Sequence, residues 1–352
     1  MLIGKITRRL YAYFLASKKT LYNFLLKLLS NIYQLLNKKK YSSLFFENLL
    51  SNRATLDSVE NFIEKKSYES SNDLYGLPRN RIKYINKKIN QYPTYTDLLT
   101  FFPKALKLKN IKYVEIGVSV LKNFYQISNS VELSTLYAFD INDINPSIAK
   151  NFKLTNENQN IKSYNYKSNK IHYYKGDVFN HDDLKSFSKL VDKANIIFSD
   201  ANHSPEGVLS EFDFLIKNIL DDNFLIYYDD LNKNIENAFN YIVKDLGSKY
   251  PKINVCSFLI NGWLGQNEKM HRNGFITNTD YIEILERNNV KLLDMRIVKW
   301  KTNYLISFKL LFIKNLIFNN SFNEKNILKN YTSNAFPNTV TKLGPAQCFN
   351  HC

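Results

Sequence analysis

Cysteine and glycine are both scarce in this chain. Three cysteines in 352 residues, Cys256, Cys348 and Cys352, are too few and too scattered for a disulfide framework or a zinc knuckle. The expectation is a reduced, cytoplasmic chain. Glycine is nearly as rare, and Gly117 is the only one between positions 77 and 175. The Gly-x-Gly-x-x-Gly fingerprint of a dinucleotide oxidoreductase is therefore missing. No Gly-Lys-Ser phosphate loop and no Ser-His-Asp order around a nucleophile elbow occurs, so NTPases and hydrolases lack their required parts. Acids are absent from the first forty residues, which carry nine Lys/Arg. The uncharged stretches there fall short of the about 20 residues that span a bilayer. No cleavage-site pattern follows them, so a signal peptide is not expected.

Apolar residues are plentiful: a 44% hydrophobic share with 14% aromatics excludes a highly charged disordered chain. The 48 Lys+Arg outnumber the 32 Asp+Glu and leave +16, a field that favours an anionic neighbour. Lys abundance runs alongside many Asn, Ile and Tyr, so charge alone does not choose between nucleic acid, lipid headgroups and an acidic ligand. Leu21, Phe24, Leu25, Leu28, Leu29, Ile32, Leu35 and Leu36 fall at helical spacing. With Lys18, Lys19, Lys27 and Lys38-Lys39-Lys40 they form a basic amphipathic segment. It either lies peripherally on an anionic membrane or packs on the chain's own main domain. SYESSNDLYG (67–76) has the composition of a linker, and Thr94–Asp97 that of a capped helix start.

From 112 onward, apolar runs of about six residues alternate with amphipathic stretches. The runs are KYVEIG (112–117), LYAFDI (136–141), HYYKGD (172–177), ANIIFSD (194–200), FLIYYDD (224–230) and NVCSFLI (254–260). VLSEFDFLIKNIL (208–220) is one of the helical intervals. Strands that are apolar on both faces and separated by helices specify an α/β, Rossmann-like parallel-type sheet covered on both sides. The expected division is a basic helical extension (1–66), a linker and lead-in helix (67–104), the Rossmann-like domain (105–285) and a C-terminal extension (286–352). In that last part YLISFKLLFIKNLIF (304–318) is either a docked helix or a second surface-seeking segment, and the last thirty residues are polar and turn-rich.

Ligands of open parallel sheets bind beyond the carboxyl ends of the strands. Acids recur at those ends: Glu115 before Gly117, then Asp140, Asp177, Asp200 and the Asp229-Asp230 pair. One such acid is ordinarily a cap or a turn former. Several in register repel one another unless something cationic or hydrogen-bonding sits among them. Asp140 stands where a nucleotide-type fold holds ribose hydroxyls. Asp200, Asp229 and Asp230 offer hard oxygens to Mg²⁺ or a similar divalent ion. His203 is near enough to act on a group bound at that ion.

VEIGV (114–118), AFDIND (138–143), GDVFN (176–180), FSDANHSPEGVLSEFDFL (198–215) and LIYYDDL (225–231) resemble the successive motifs of class I S-adenosylmethionine-dependent methyltransferases. The resemblance is nearest to the cephalosporin-hydroxylase-like and macrocin-type O-methyltransferases. It covers about 110–265 of this chain, and its specific part is the Asp200–Val208 block with the Asp229-Asp230 pair. It implies Glu115, Gly117 and Ser119 beside the methionine part of S-adenosyl-L-methionine, Asp140 on the ribose, and Asp177 and Val178 flanking the adenine. It also implies a divalent cation on Asp200 and an acid of the Asp229-Asp230 pair, His203 as general base, a small-molecule or sugar hydroxyl as acceptor, and a homo-oligomer. One position departs from the pattern. The first loop, GVSVLKNFY, has no second glycine; Ser119 is small enough to substitute, whereas Val118 and Val120 resist a left-handed backbone.

Methyl transfer from a sulfonium is an in-line displacement, so alignment and a nucleophilic acceptor are what an enzyme must supply. A cation polarising the hydroxyl and an imidazole taking its proton meet the second need. The alternative is a catalytically inactive Rossmann-like scaffold held to membrane or RNA by its basic ends. Nucleic-acid methylation is disfavoured, because no Asn/Asp-Pro-Pro-Tyr-type motif follows the fourth run. His172 and His181 are expected at surface or turn positions. His271, with the Trp263 loop (262–266), and Arg272 are weaker candidates for contacting an acceptor.

Overall fold

The computed structural model describes residues 41–60, 93–119, 121–231, 233–260 and 271–301. The first forty residues, the 67–76 linker, the Trp263 loop and the segment 304–318 with all that follows lie outside the described residues. All described residues belong to a unit spanning Met1–Asn303.

Every expected strand forms. They are β1 (Lys112–Ile116), β2 (Thr135–Asp140), β5 (Asn169–Lys175), β6 (Ala194–Ser199), β7 (Leu220–Tyr228) and β8 (Lys252–Ile260). The chain adds β3 (Lys153–Glu157), β4 (Ile161–Tyr166), β9 (His271–Thr277) and β10 (Leu293–Lys301). The sheet runs β10-β8-β9-β7-β6-β1-β2-β5-β4-β3. Its centre, β7-β6-β1-β2-β5, is parallel throughout. At one edge β4 and β3 extend it antiparallel; at the other β9 lies antiparallel between β7 and β8, and β10 closes the edge. The sheet is therefore parallel in its middle and mixed at its margins. It also runs past the expected 285 boundary, because β10 pairs with β8.

Alternation along each strand divides the core in two. Tyr113, Leu136, Ile196, Phe198 and Tyr227 face one layer with Phe45, Leu98, Phe102, Phe124 and Tyr281. That layer comprises α1 (Ser43–Glu60), α2 (Tyr95–Leu106) and α3 (Lys122–Ser130), with Tyr281 contributed from the helix Tyr281–Arg287. Val114, Phe139, Ile197, Ile226 and Tyr228 face the other, against Phe187, Phe212 and Ile242. That second layer comprises α4 (His181–Leu190), α5 (Pro205–Glu211) and α6 (Glu236–Lys249), and α7 is the Tyr281–Arg287 helix of the first. The helix expected over 208–220 takes a π-helical turn at Phe212–Ile216. No helix among the described residues is long and apolar enough to cross a membrane.

The lead-in helices are bolted to the sheet. The side chain of Thr94 caps α2 in a reciprocal capping box with Asp97. Asp97 also takes two bonds from the Arg53 guanidinium, at 3.1 and 2.7 Å, and one from Asn52 Nδ2 at 2.8 Å. Both members of that ion pair are buried. Asn48 Nδ2 donates to the Asp97 carbonyl at 2.9 Å, so α1 and α2 move as a unit.

Candidate active site at the carboxyl rim

β1 has β2 on one side and β6 on the other, so the chain reverses direction across the sheet at β1. Crevices in open α/β sheets open at such a switch point. Here the strand ends are laced together: Gly117 N–H donates to the Phe139 carbonyl at 2.8 Å, and Asp200 N–H to that of Ile116 at 2.8 Å. Gly117 has φ +85°, and a Cβ on it would come within 2.5 Å of Ala201 Cα and the Asp200 carbonyl. Only glycine allows that approach. The loop beyond meets its curvature without further glycine, as Ser119 and Leu121 take φ 47° and 64°. Ser119 thus adopts the left-handed backbone usually left to glycine.

That turn aims Ser119 N–H at Asp140 Oδ2, 2.9 Å away, while Asn142 N–H reaches Oδ1 at 2.8 Å. Asp140 is 7% exposed; burial raises its pKa and these backbone bonds oppose the rise. Val118 N–H and the Asn142 side chain also bond to it, so the loops after β1 and β2 both hold this carboxyl. Asp177 Oδ1 accepts Phe179 N–H at 2.9 Å, and the buried Val178 offers its carbonyl to Ser210 Oγ at 2.7 Å. Just past Asp140 and Val178 stand Ile141 and Phe179, apolar yet 62% and 52% exposed. Nothing in their periodicity marks them, since both lie beyond their strands, Ile141 directly after β2 and Phe179 four residues after β5. Their exposure on neighbouring strand ends is the signal, and a flat apolar ring would cover them.

Glu115 lies buried within electrostatic reach of both Asp140 and Asp200. It is 2% exposed, and its Oε2 accepts from Tyr113 Oη at 2.6 Å and Asn123 Nδ2 at 3.0 Å. Burial pushes its pKa up to about 8, against the pull of those two bonds. Its contacts join β1 to α3.

The fourth and fifth strand ends do converge. His203 Nε2 is 3.6 Å from Asp200 Oδ1. The segment that delivers it is a helix start: Asn202 Oδ1 accepts Ser204 N–H at 2.9 Å, Ser204 Oγ accepts Gly207 N–H at 3.1 Å, and Pro205 opens α5. Asp200 hydrogen-bonds to Asp229, and its pKa is raised well above the carboxylate range by burial, then by the charges of Asp229 and Glu115. Two carboxyls in contact cannot both ionise cheaply, and the pKa of Asp200 carries that cost. From below, the buried Tyr95 brings its hydroxyl into the field of Asp200 and Asp229; its pKa is raised by burial first and by those acids next.

His271 completes the group. β9 begins at this rim, where Leu231 N–H donates to the Arg272 carbonyl at 2.7 Å. His271 Nδ1 contacts Asp230 Oδ1, and Nε2 lies 3.8 Å from Asp229 Oδ1. Burial lowers the His271 pKa, but Asp229 and Asp230 outweigh it and hold it at about 9. Burial would raise Asp230, and the His271 bond and charge bring it below its ordinary value. Ligating atoms of Asp229, Asp230 and His271 all lie within 4.8 Å of one another. Asn273 Nδ2 donates to Asp229 Oδ1 from the same strand.

Other candidates are accounted for within the fold. Arg272 pairs with Asp294 of β10. His172 Nδ1 meets Ser163 Oγ at 2.9 Å and stacks on Tyr137, and His181 stacks on Phe214. A cleft of about 410 Å³ lined by Leu106, Asn223, Lys252, Asn278 and Arg287 lies at the opposite end of the sheet, by the amino end of β8.

No protein-family model and no curated protein matches the chain. Among solved structures it is similar to the O-methyltransferase TomG from Streptomyces achromogenes in complex with SAM: 11% identity, TM-score 0.36, covering 62% of this chain and 98% of that one. The O-methyltransferase from Bacillus cereus in complex with SAH gives 10% identity and TM-score 0.38, covering 63% and 100%. The mycinamycin-pathway methyltransferase MycE, in complex with Mg, SAH and mycinamycin VI, gives 13% and 0.27 over 48% and 46%. At that distance the likeness adds nothing to what the strand order itself establishes: a Rossmann-like α/β fold with acids and imidazoles gathered at its carboxyl rim.

Proposed function

We propose that this chain is an S-adenosylmethionine-dependent O-methyltransferase acting on a hydroxyl of a small molecule or sugar. One observation carries the reading: Asp200, Asp229, Asp230 and His203 meet at the rim beside the switch point, next to an Asp140 held ready for hydroxyls. The donor would lie along β1, β2 and β5, with Gly117 and Ser119 under its chain. Asp140 would take the ribose hydroxyls, and Asp177 and Val178 the edge of the base, between Ile141 and Phe179.

The acid group also fits a divalent cation such as Mg²⁺. The repulsion between Asp200 and its neighbouring carboxylates is what a cation would relieve, and the buried His271 Nε2 has no hydrogen-bond partner. When bound, such an ion polarises the acceptor oxygen and lowers its pKa. His203 then removes the hydroxyl proton, and Asp200, 3.6 Å away, steadies the imidazolium. Asp230 holds its own charge against His271 and adds negative potential where a cationic donor must sit.

A non-catalytic scaffold is the second reading. It is favoured by one feature: the space beside Gly117 is taken by Ala201 backbone, and Asp140 is already engaged by the loop it follows. Calorimetry with S-adenosylhomocysteine, with and without Mg²⁺, separates the two. Micromolar binding is expected, with Asp140→Ala weakening it about 10- to 100-fold, as loss of a charge-assisted hydrogen bond does. Absence of any binding would leave the scaffold.

A further inference from the structure

His271 reaches the rim acids from β9, a strand that no apolar run announces. Its two ring nitrogens have unlike surroundings. Nδ1 is against Asp230 Oδ1, whereas Nε2 is buried, 3.8 Å from Asp229 Oδ1 and without a hydrogen-bond partner. An imidazole that gives its Nδ1 proton to a carboxylate keeps the Nε2 lone pair outward, and this is the usual second partner of a metal-ligating histidine. With metal–ligand bonds of about 2.1 Å, two donors on one ion stand roughly 3 to 4 Å apart, and the Nε2–Asp229 separation falls in that span. The Asn273 amide donates to that same Asp229 Oδ1 and holds it in place. A nitrogen donor also changes which ion suits the site, since Mg²⁺ prefers an all-oxygen shell while imidazole suits transition ions.

Resting on the reading of this rim as a cation-assisted methyltransferase site, the geometry points to a mixed nitrogen–oxygen metal centre. In it His271 Nε2 and Asp229 ligate a divalent first-row ion such as Mn²⁺, Fe²⁺, Co²⁺ or Zn²⁺. Asp200 adjoins as a further oxygen, and Asp230 is a positioning residue that fixes the His271 tautomer.

The test uses the full chain, freed of metal by chelator and titrated with Mn²⁺, Co²⁺ and Mg²⁺ by calorimetry. Mn²⁺ and Co²⁺ should bind at least about tenfold tighter than Mg²⁺. His271→Ala should remove that preference, and Asp230→Asn should weaken Co²⁺ binding about 10- to 100-fold. Because either variant could fold poorly, the unmodified chain loaded with Mn²⁺ should also show electron spin-echo modulation from a directly bound imidazole nitrogen. Equal affinity for Mg²⁺ and Mn²⁺, or no nitrogen modulation, overturns the inference. A parallel S-adenosylhomocysteine titration separates the two levels. Binding there without nitrogen on the metal sinks only this inference, and nitrogen-bound Mn²⁺ without such binding sinks only the methyltransferase reading.

Discussion

Two imidazoles meet one set of carboxylates, and their surroundings give them different work. His203 stands on the helix-start turn with Asp200 3.6 Å away and Asp230 within electrostatic reach, a position suited to receiving a proton. His271 is wedged between Asp229 and Asp230, which hold it charged to about pH 9 in the absence of metal and suit it poorly to that task. His203→Ala should therefore lower kcat by about 10²- to 10⁴-fold while leaving S-adenosylhomocysteine affinity unchanged; loss of both in a steady-state and calorimetric comparison would remove it from the base role. Glu211 gives a second prediction. It is buried on Ser199, whose Oγ donates to Oε2 at 2.6 Å, and burial pushes its pKa from 4.5 up to about 8. The native state then binds a proton that the unfolded chain has released, so the contribution of Glu211 to stability is greatest below pH 4.5 and is lost as pH rises towards 8. Glu115, pushed to about 8 as well, acts with the same sign. In Glu211→Gln the slope of unfolding free energy across that window should be shallower by about 1.4 kcal/mol per pH unit, read from urea melts at several pH values.

Elements differ in how plainly their residues announce them. The parallel strands are covered by helices on both faces, so Val114, Phe139, Ile197 and Ile226 sit in unbroken apolar runs. The marginal strands are half open to solvent. β3 is exposed along its whole length and β10 shows Ile297 and Val298 to water, so neither carries a run. β9 is hidden for another reason: its start, His271, Arg272, Asn273 and Gly274, has the composition of a turn, and pairing with the end of β8 makes it a strand. His271, opposite Ile260, enters the site through that pairing, which its own local composition does not encode. The acids of β6 and β7 were legible because each ends its own apolar run. The contact of α1 with α2 can be tested at this scale too. Asp97→Ala would leave the Arg53 guanidinium buried without its partner carboxylate, which should cost about 3–5 kcal/mol in a denaturant melt.

For the whole molecule, the +16 charge and the acidic rim oppose each other. A positive surface draws anionic partners while the rim gathers cations, so the two functions need not share a face. Nine Lys/Arg lie in the first forty residues, each worth about 1 kcal/mol against an anionic leaflet. Removing 1–40 should cut sedimentation with phosphatidylserine vesicles at low salt by at least about tenfold. Unchanged sedimentation would assign the segment to the chain's own surface.

The backbones of Gly117 and Ala201 meet with no side chain between them, joining the turn after β1 to the turn after β6. A bulkier residue at position 117 would push both turns aside at once, so rim residues delivered by two separate strands would lose their places through a single substitution.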